Sequence, residues 1–345
     1  MTSHDLAART EVASMPAASP ARLSLLVRSL SHRYWLLAVT VLLFAGFSVS
    51  KPDTFGTGTN VRFTLIQEVV TLVIALALML PMVCGEFDLS VGSIAIVSAV
   101  TAGSAMSKHH LSLGLAIVLA LAISLVLGAI NGMLMAVFSI NSLIGTLGVS
   151  IVLDGLVVYY TKGVPLSTGF SSTLVDLPQR ELWGMPVIVI IATTLAALVW
   201  YGLEHTAPGR SLTAIGVNRS AADLLGLRSN RYVLTAFVLS GFLGGIAGCL
   251  QLAVVGSASE GSGGLAILLP SLAAVYLGAT SVRPGTFNVP GLIIGILFVA
   301  FGTSGLTLGT SAQWVGPVFQ GGSLVFAVTV SAVSAKRRPV VDVRR

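Results

Sequence analysis

The residues of this chain that could do chemistry are few, and they sit in apolar surroundings. Glu68, Glu86, Asp88 and Asp154 are acids within or beside long hydrophobic runs, and Asn131, Asn141, Thr146 and Gln251 are neutral polar groups in the same setting. An ionisable side chain inside a hydrocarbon layer is costly unless it is partnered or wetted, so such acids mark polar pathways, gates or helix caps. Asp88 opens the run Asp88-Leu89-Ser90, and its plainest role is to cap the helix entering at Leu89, where the helix dipole favours a carboxylate. Contact with a gate or with a solute is the sharper alternative. Glu86 is expected to be solvated at one mouth of the bundle, and Glu68 to lie near the outer end of its span and snorkel. Asp154 is the internal candidate for a polar pathway, with a packed hydrogen bond as the plainer account. The four neutral residues offer amide and hydroxyl contacts to a small polar solute, or equally to a neighbouring helix.

Other chemistries lack their residues. His4, His32, His109, His110 and His205 fall near ends or loops and never at H-E-x-x-H spacing, so neither a metal site nor a metalloprotease is supported. There is no G-x-x-x-x-G-K-[ST] loop to cradle a nucleotide phosphate, and no cofactor motif. Cys84 and Cys249 lie in or beside apolar runs, where Cys packs as a small hydrophobe, and a disulfide is not expected.

The elements that position these groups are membrane spans. Of 345 residues, 54% are hydrophobic and 9% charged, against about 25% charged in soluble domains, and the apolar stretches repeatedly approach the roughly 20 residues that cross a bilayer. The reading is an all-α integral membrane protein with about ten transmembrane helices in one bundle, at 34–50, 64–84, 90–107, 111–136, 142–160, 185–203, 232–254, 266–281, 286–303 and 313–335. The short spans 266–281 and 286–303 are candidates for broken helices, and internal pseudo-symmetry fits such a fold. Residues 1–33 form an N-terminal tail, 34–335 the transmembrane domain and 336–345 a basic C-terminal tail.

The net charge of +6 serves topology rather than nucleic acid binding, because the bases cluster in loops and tails. With both termini inside, fourteen bases are cytoplasmic: Arg9, Arg22, Arg28, Arg33, Arg210, Arg219, Arg228, Arg231, Arg283, Lys336, Arg337, Arg338, Arg344 and Arg345. Five remain outside, namely Lys51, Arg62, Lys108, Lys162 and Arg180, and this bias sets the orientation.

Small residues at Gly241, Gly244, Gly245, Gly248, Gly291 and Gly295 let helix backbones approach, since lipid supplies no hydrophobic drive. The 204–231 loop carries a short helix signal: Ser220 with Asp223 reads as a capping box, Ala221 to Leu225 as helix and Gly226 as its stop. A small residue such as Ala222 on that helix is expected to face a crowded contact with a partner.

Four ordered blocks carry a family resemblance. The run Gly85-Glu86-Phe87-Asp88-Leu89-Ser90-Val91-Gly92-Ser93 resembles the signature between the second and third spans of ribose-type ABC permeases. Asn131-Gly132, then Ile140 to Gly148, resembles the next block, although Asn141 and Ser142 stand where prolines are common. Gly209-Arg210, Ala214 to Asn218 and Ala221-Ala222 through Gly226 are similar to the coupling segment, and Leu277 to Ser281 with Gly285 and Gly291 continues the match.

The resemblance implies a bacterial inner-membrane permease subunit of an importer for a monosaccharide or similar small polar solute. Its implied partners are a second permease copy in a homo- or heterodimer, an ATP-binding subunit and an extracytoplasmic solute-binding protein. By the same resemblance Gly85, Asp88, Ser90 and Gly92 form the gate motif. Gly209, Arg210, Gly216, Asn218, Ser220, Ala221, Ala222, Asp223 and Gly226 form the contact with the ATP-binding subunit. The rival reading is an ion-coupled secondary transporter, which also uses about ten spans and buried acids but has no need of a coupling segment.

Overall fold

The computed structural model describes residues 20–259, 263–308, 312 and 314–336. The parts of the expected tails at 1–19 and 337–345, with Arg9, Arg337, Arg338, Arg344 and Arg345, lie outside the described residues.

The helices in chain order are α1 Pro20–Ser50, α2 Gly58–Val83, α3 Val91–Ser107, α4 Leu113–Ala136, α5 Ser142–Thr161, α6 Ser172–Val175, α7 Val187–His205, α8 Ala207–Val217, α9 Arg219–Leu224, α10 Ser229–Val255, α11 Gly264–Gly278, α12 Val289–Thr307 and α13 Val315–Lys336. A two-stranded hairpin, β1 Glu181–Leu182 and β2 Met185–Pro186, precedes α7. Among the described residues seven helices are long and apolar enough to cross a membrane, and α3, α11 and α13 are shorter apolar helices. Together these correspond to the ten expected spans. Helix α1 starts at Pro20, inside the segment expected as a tail. The 204–231 segment holds two helices rather than one, because Thr206 caps α8 by accepting from the Gly209 amide and Asn218 then caps α9.

One end of the bundle carries α8 and α9 and is called proximal here. Gly216 at the end of α8 abuts Val83 at the end of α2, Glu204 pairs with Arg283 at 3.0 Å, and the Val282 amide donates to the Arg33 carbonyl at 2.8 Å. At the distal end Lys51 donates to the Gly305 carbonyl, Arg62 pairs with Glu181, and Lys108 lies over the Tyr160 ring. Exposed aromatics mark both levels: Tyr34, Trp200 and Tyr201 proximally, and Tyr159, Tyr160, Trp183 and Trp314 distally. Such belts sit at the two interfaces of a bilayer.

The most buried spans, α2 and α10, form the centre. Helix α10 is seated by its small residues: a Cβ built on Gly241 would overlap the Ser124 carbonyl and Gly128 of α4, and one on Gly248 would overlap the Ala95 carbonyl of α3. Gly291 and Gly295 of α12 meet Gly278 and Ala274 of α11 in the same way. The spacing of glycines in the sequence therefore reports real backbone approach.

Two long helices are each followed by a shorter one that starts inside the bundle. Helix α2 has Pro81 in its last turn and is followed by Gly85 in the left-handed region at φ 88°; seven residues separate its end at Val83 from the start of α3 at Val91, among them the fully buried Asp88 and Ser90. Helix α10 ends at Gly256, φ 67°, and α11 begins at Gly264. Since α2 runs towards the proximal end and α10 away from it, the two pairs are inverted copies in arrangement. The starts of α3 and α11 meet, with Gly92 against the Gly264 carbonyl and Gly264 against Ser93.

Close approach makes a contrast that stability can test. Gly248→Ala should lower the thermal midpoint in detergent, because forcing a methyl into a packed contact costs about 1–3 kcal/mol. Gly148→Ala, on an α5 face with no neighbour within 4 Å, should leave the midpoint unchanged or higher. Equal midpoints for the two variants would contradict this packing.

Candidate functional site

The interior polar groups converge where the broken helices begin. Helix α5 presents Ser142, Thr146, Ser150 and Asp154, each four residues after the last and so on one face. All four bond to the broken pairs. The Phe87 amide donates to Ser142 Oγ at 3.0 Å and the Leu89 amide to Thr146 Oγ1 at 3.0 Å. Ser150 Oγ and Ser93 Oγ are 2.7 Å apart, and the Gly264 amide donates to both Asp154 oxygens at 3.2 and 3.3 Å. Asp154 thus caps the first turn of α11 from another helix, placing a carboxylate at the positive end of a helix dipole.

Asp88 holds the other side of the same region. Its Oδ1 accepts from the Ser90 amide at 3.1 Å and from Ser90 Oγ at 2.6 Å, and its Oδ2 accepts from Ser240 Oγ of α10 at 2.7 Å. Asn131 of α4 donates through Nδ2 to Ser90 Oγ at 2.6 Å, while its buried Oδ1 has no hydrogen-bond partner. Asp88 does not cap a helix entering at Leu89: α3 begins at Val91 with Ser90 at its N-cap position, and Asp88 instead binds that Ser90 and ties it to Ser240 of α10. Three donors and the adjacent helix N-terminus compensate a buried carboxylate that pairs with no cation among the described residues.

The remaining candidates lie elsewhere. Asn141 is exposed and caps α5 by accepting from the Ile144 amide at 3.2 Å, and Gln251 is half-buried on α10 away from these bonds. Glu86 is not simply solvated: Arg219 pairs with it at 3.1 Å and also donates to Asn230 at 2.8 Å, joining the start of α9 to the 84–90 stretch and α10. Glu68 does not snorkel from the end of its span. It lies ten residues into α2, against a crevice of about 100 Å³ with Thr193 and Ile293 among its walls.

In the coupling segment two expectations are corrected. The cap of α9 is Asn218, whose Oδ1 accepts from the Ala221 amide at 3.0 Å, and not Ser220, which lies exposed within the helix; Asp223 instead accepts from the Ser229 amide at 3.3 Å. Ala222 does not face outward. It is 3% exposed and packs with Ile215, Val233 and Phe237 of the same chain, since a helix this short must bury its few apolar side chains against something. The outward positions are Leu224 and Leu225, 90% and 85% exposed. Gly226 stops the helix with φ 84°, as expected. Gly209 and Gly216 are points of backbone contact, against the Gly202 and Val83 carbonyls, and Arg210 and Ala221 are exposed. Ser150 and Ser240 were not singled out from the sequence, and Ser142 and Arg219 were named only as a departure from a motif and as a cytoplasmic base, although the four-residue spacing on α5 is visible there.

Comparison with known proteins places this architecture. Residues 60–328 match the family described as branched-chain amino acid transport system / permease component. The chain belongs to this permease family. The ribose import permease protein of Haemophilus influenzae is 32% identical over 271 residues, covering 78% of this chain and 83% of the relative. That of Escherichia coli strain K12 is 33% identical over 278 residues, covering 79% and 85%. The L-arabinose ABC transporter permease protein of Azospirillum brasilense is 29% identical over 337 residues, covering 97% and 98%. No solved structure matches the chain. The permease is thus a multi-pass membrane subunit of a transport system rather than an enzyme, and the ion-coupled carrier is set aside.

The cap from α5 to α11 yields a test. Asp154→Ala should speed hydrogen exchange across residues 264–268 of the permease, since losing a helix cap costs about 0.5–2 kcal/mol, whereas Asp154→Asn should preserve protection because asparagine also caps. Unchanged exchange in the alanine variant would remove Asp154 from this role.

Proposed function

We propose that this permease forms the translocation pathway of an ABC importer for a monosaccharide or a similar small polar solute, driven by ATP hydrolysis on a separate subunit. The observation that carries the reading is the alignment of permeases named for ribose and arabinose transport along most of the chain. The site chemistry agrees with it. Thr146 and Asn131 are fully buried in the conformation described, and once the helices part in the alternate state their hydroxyl and amide groups would exchange hydrogen bonds with sugar hydroxyls without trapping the solute as a fixed charge would. Broken helices that meet inside the bundle leave non-helical backbone at Phe87 to Ser90, which absorbs rotation as access alternates. Uptake of labelled pentoses and hexoses in a deletion strain carrying this gene tests the proposal. Failure to restore uptake of any of them, with the permease present in the membrane, would overturn the sugar assignment.

The same reading makes the proximal end cytoplasmic, with both termini on that side and the 161–184 segment outside. It rests on the bias of fourteen bases against five. A cysteine placed at Ser172 should react with an impermeant reagent added from outside; labelling only from the cytoplasm would invert the topology.

The partners are an ATP-binding subunit at the proximal end, a solute-binding protein at the distal end and a second permease copy. The side chains offered to the ATP-binding subunit are Leu224 and Leu225, whose exposure at the tip of α9 suits insertion into an apolar cleft. The Glu86–Arg219 pair then connects that tip to the 84–90 stretch and to Asp88. Leu224→Glu with Leu225→Glu should weaken co-purification of the ATP-binding subunit about tenfold, equivalent to about 1.4 kcal/mol, and reduce uptake in parallel while membrane insertion stays normal. Ala222→Trp, by contrast, should damage the packing of α9 on α10 and lower the amount of folded permease. Wild-type co-purification and uptake in the double glutamate variant would exclude this tip from the interface.

A further inference from the structure

A crevice of about 460 Å³ opens between α3, α4 and α5, lined by none of the ladder residues Ser142, Thr146, Ser150 and Asp154 of α5. Its walls are apolar along their length, with Val97 and Val100 on α3, Ile123 and Leu127 on α4, and Leu153 and Leu156 on α5. Polar groups gather at its distal end: Thr101, His109, and the hydroxyls of Ser104 and Tyr160, which bond to each other. Lys108 stands at this rim with its ammonium 4.5 Å from the Tyr160 ring centroid, and no carboxylate lines the cavity. The side is open, since Leu119, Ile123 and Leu156 are exposed at its mouth.

We propose that this crevice is a binding site for an anionic phospholipid, one acyl chain lying between α4 and α5 and the phosphate resting on Lys108 and His109. Length, lining and charge favour a lipid chain over a helix of a second copy. From Leu119 to Leu127 the cavity wall rises about 12 Å, most of the half-thickness of a hydrocarbon core about 30 Å across. The polarity gradient matches an amphiphile that enters tail first towards mid-membrane. The rim matches a negative head, since a lysine near a membrane surface attracts an anionic lipid and nothing acidic in the lining opposes it. This inference requires only that the chain spans a bilayer and is independent of the solute proposed above.

The test uses the full chain in nanodiscs of palmitoyl-oleoyl phosphatidylcholine doped with the phosphatidylglycerol of the same chains, with retained lipid counted by native mass spectrometry after delipidation. Wild-type protein should retain about one phosphatidylglycerol per chain and prefer it to phosphatidylcholine about fivefold or more. Lys108→Glu, at the exposed C-cap position of α3, should abolish that preference while the thermal midpoint stays near that of the wild type. Leu156→Trp, which fills the mouth from the exposed face of α5, should remove both lipids. Equal retention of the two lipids by the wild type, or an unaltered preference in Lys108→Glu, would overturn the proposal. So would a Leu156→Trp variant that keeps its lipid while its oligomeric state changes, because the crevice would then belong to a contact between copies.

Discussion

Within hydrocarbon no water is available to an open backbone amide, and each one left unsatisfied costs several kcal/mol, so a helix that begins inside a membrane bundle must find side-chain acceptors for its first turn. Helices α3 and α11 both begin that way, and their starts press together at Gly92 and Gly264. The rest of the architecture answers that demand. Helix α5 runs beside both starts and offers Ser142, Thr146, Ser150 and Asp154, while Asp88 folds back onto the Ser90 amide. Without such a ladder the stretch from Phe87 to Ser90 could not sit at this depth as non-helical backbone.

Packing and polarity are consequently inseparable here. The glycines of α10 bring it close enough to α3 for Ser240 to reach Asp88 and for Ser98 to donate to the Gly245 carbonyl at 2.7 Å. A larger residue at Gly244 or Gly248 would push α10 off α3 and break those bonds as well as the contact. Close backbone approach is the usual source of association between helices in lipid, and in this protein it also sets the geometry of the polar centre. The Arg219–Glu86 ion pair then ties α9 to the 84–90 stretch, whose backbone leads two residues on to Asp88 and so links an exposed tip at the proximal end to that centre. Such a connection is what a permease needs if events on a separate subunit are to be felt at mid-membrane.

Much of this was legible in the residues. Hydropathy located the spans because crossing a bilayer imposes a length on each apolar run, and the order of four short motifs pointed to the permease family. Asp88 was readable as a support near the start of α3, though not as its cap, because its bond to Ser90 is local in sequence. Asp154 was readable only as a choice between pathway and packed bond, because its partner, Gly264, lies 110 residues away. The roles of Ser240 and Arg219 were hidden for the same reason: a serine inside an apolar run or an arginine in a loop does not name the distant group it meets. Ala222 was misjudged because a two-turn helix has no periodicity long enough to tell its buried face from its exposed one.

Sequence alone therefore determined the membrane class, the approximate spans, the glycine contacts and the family, since each depends on composition, local spacing or ordered motifs. Tertiary structure decided that α3 and α11 start inside the bundle and face each other, that α5 takes the Phe87 and Leu89 amides just ahead of α3 and the Gly264 amide of α11, and that α9 buries Ala222 while exposing Leu224 and Leu225. The physical reason is that hydrogen-bond satisfaction in a membrane is settled between helices far apart in the chain. A sequence displays the donors and acceptors, but only the packed bundle assigns them to one another.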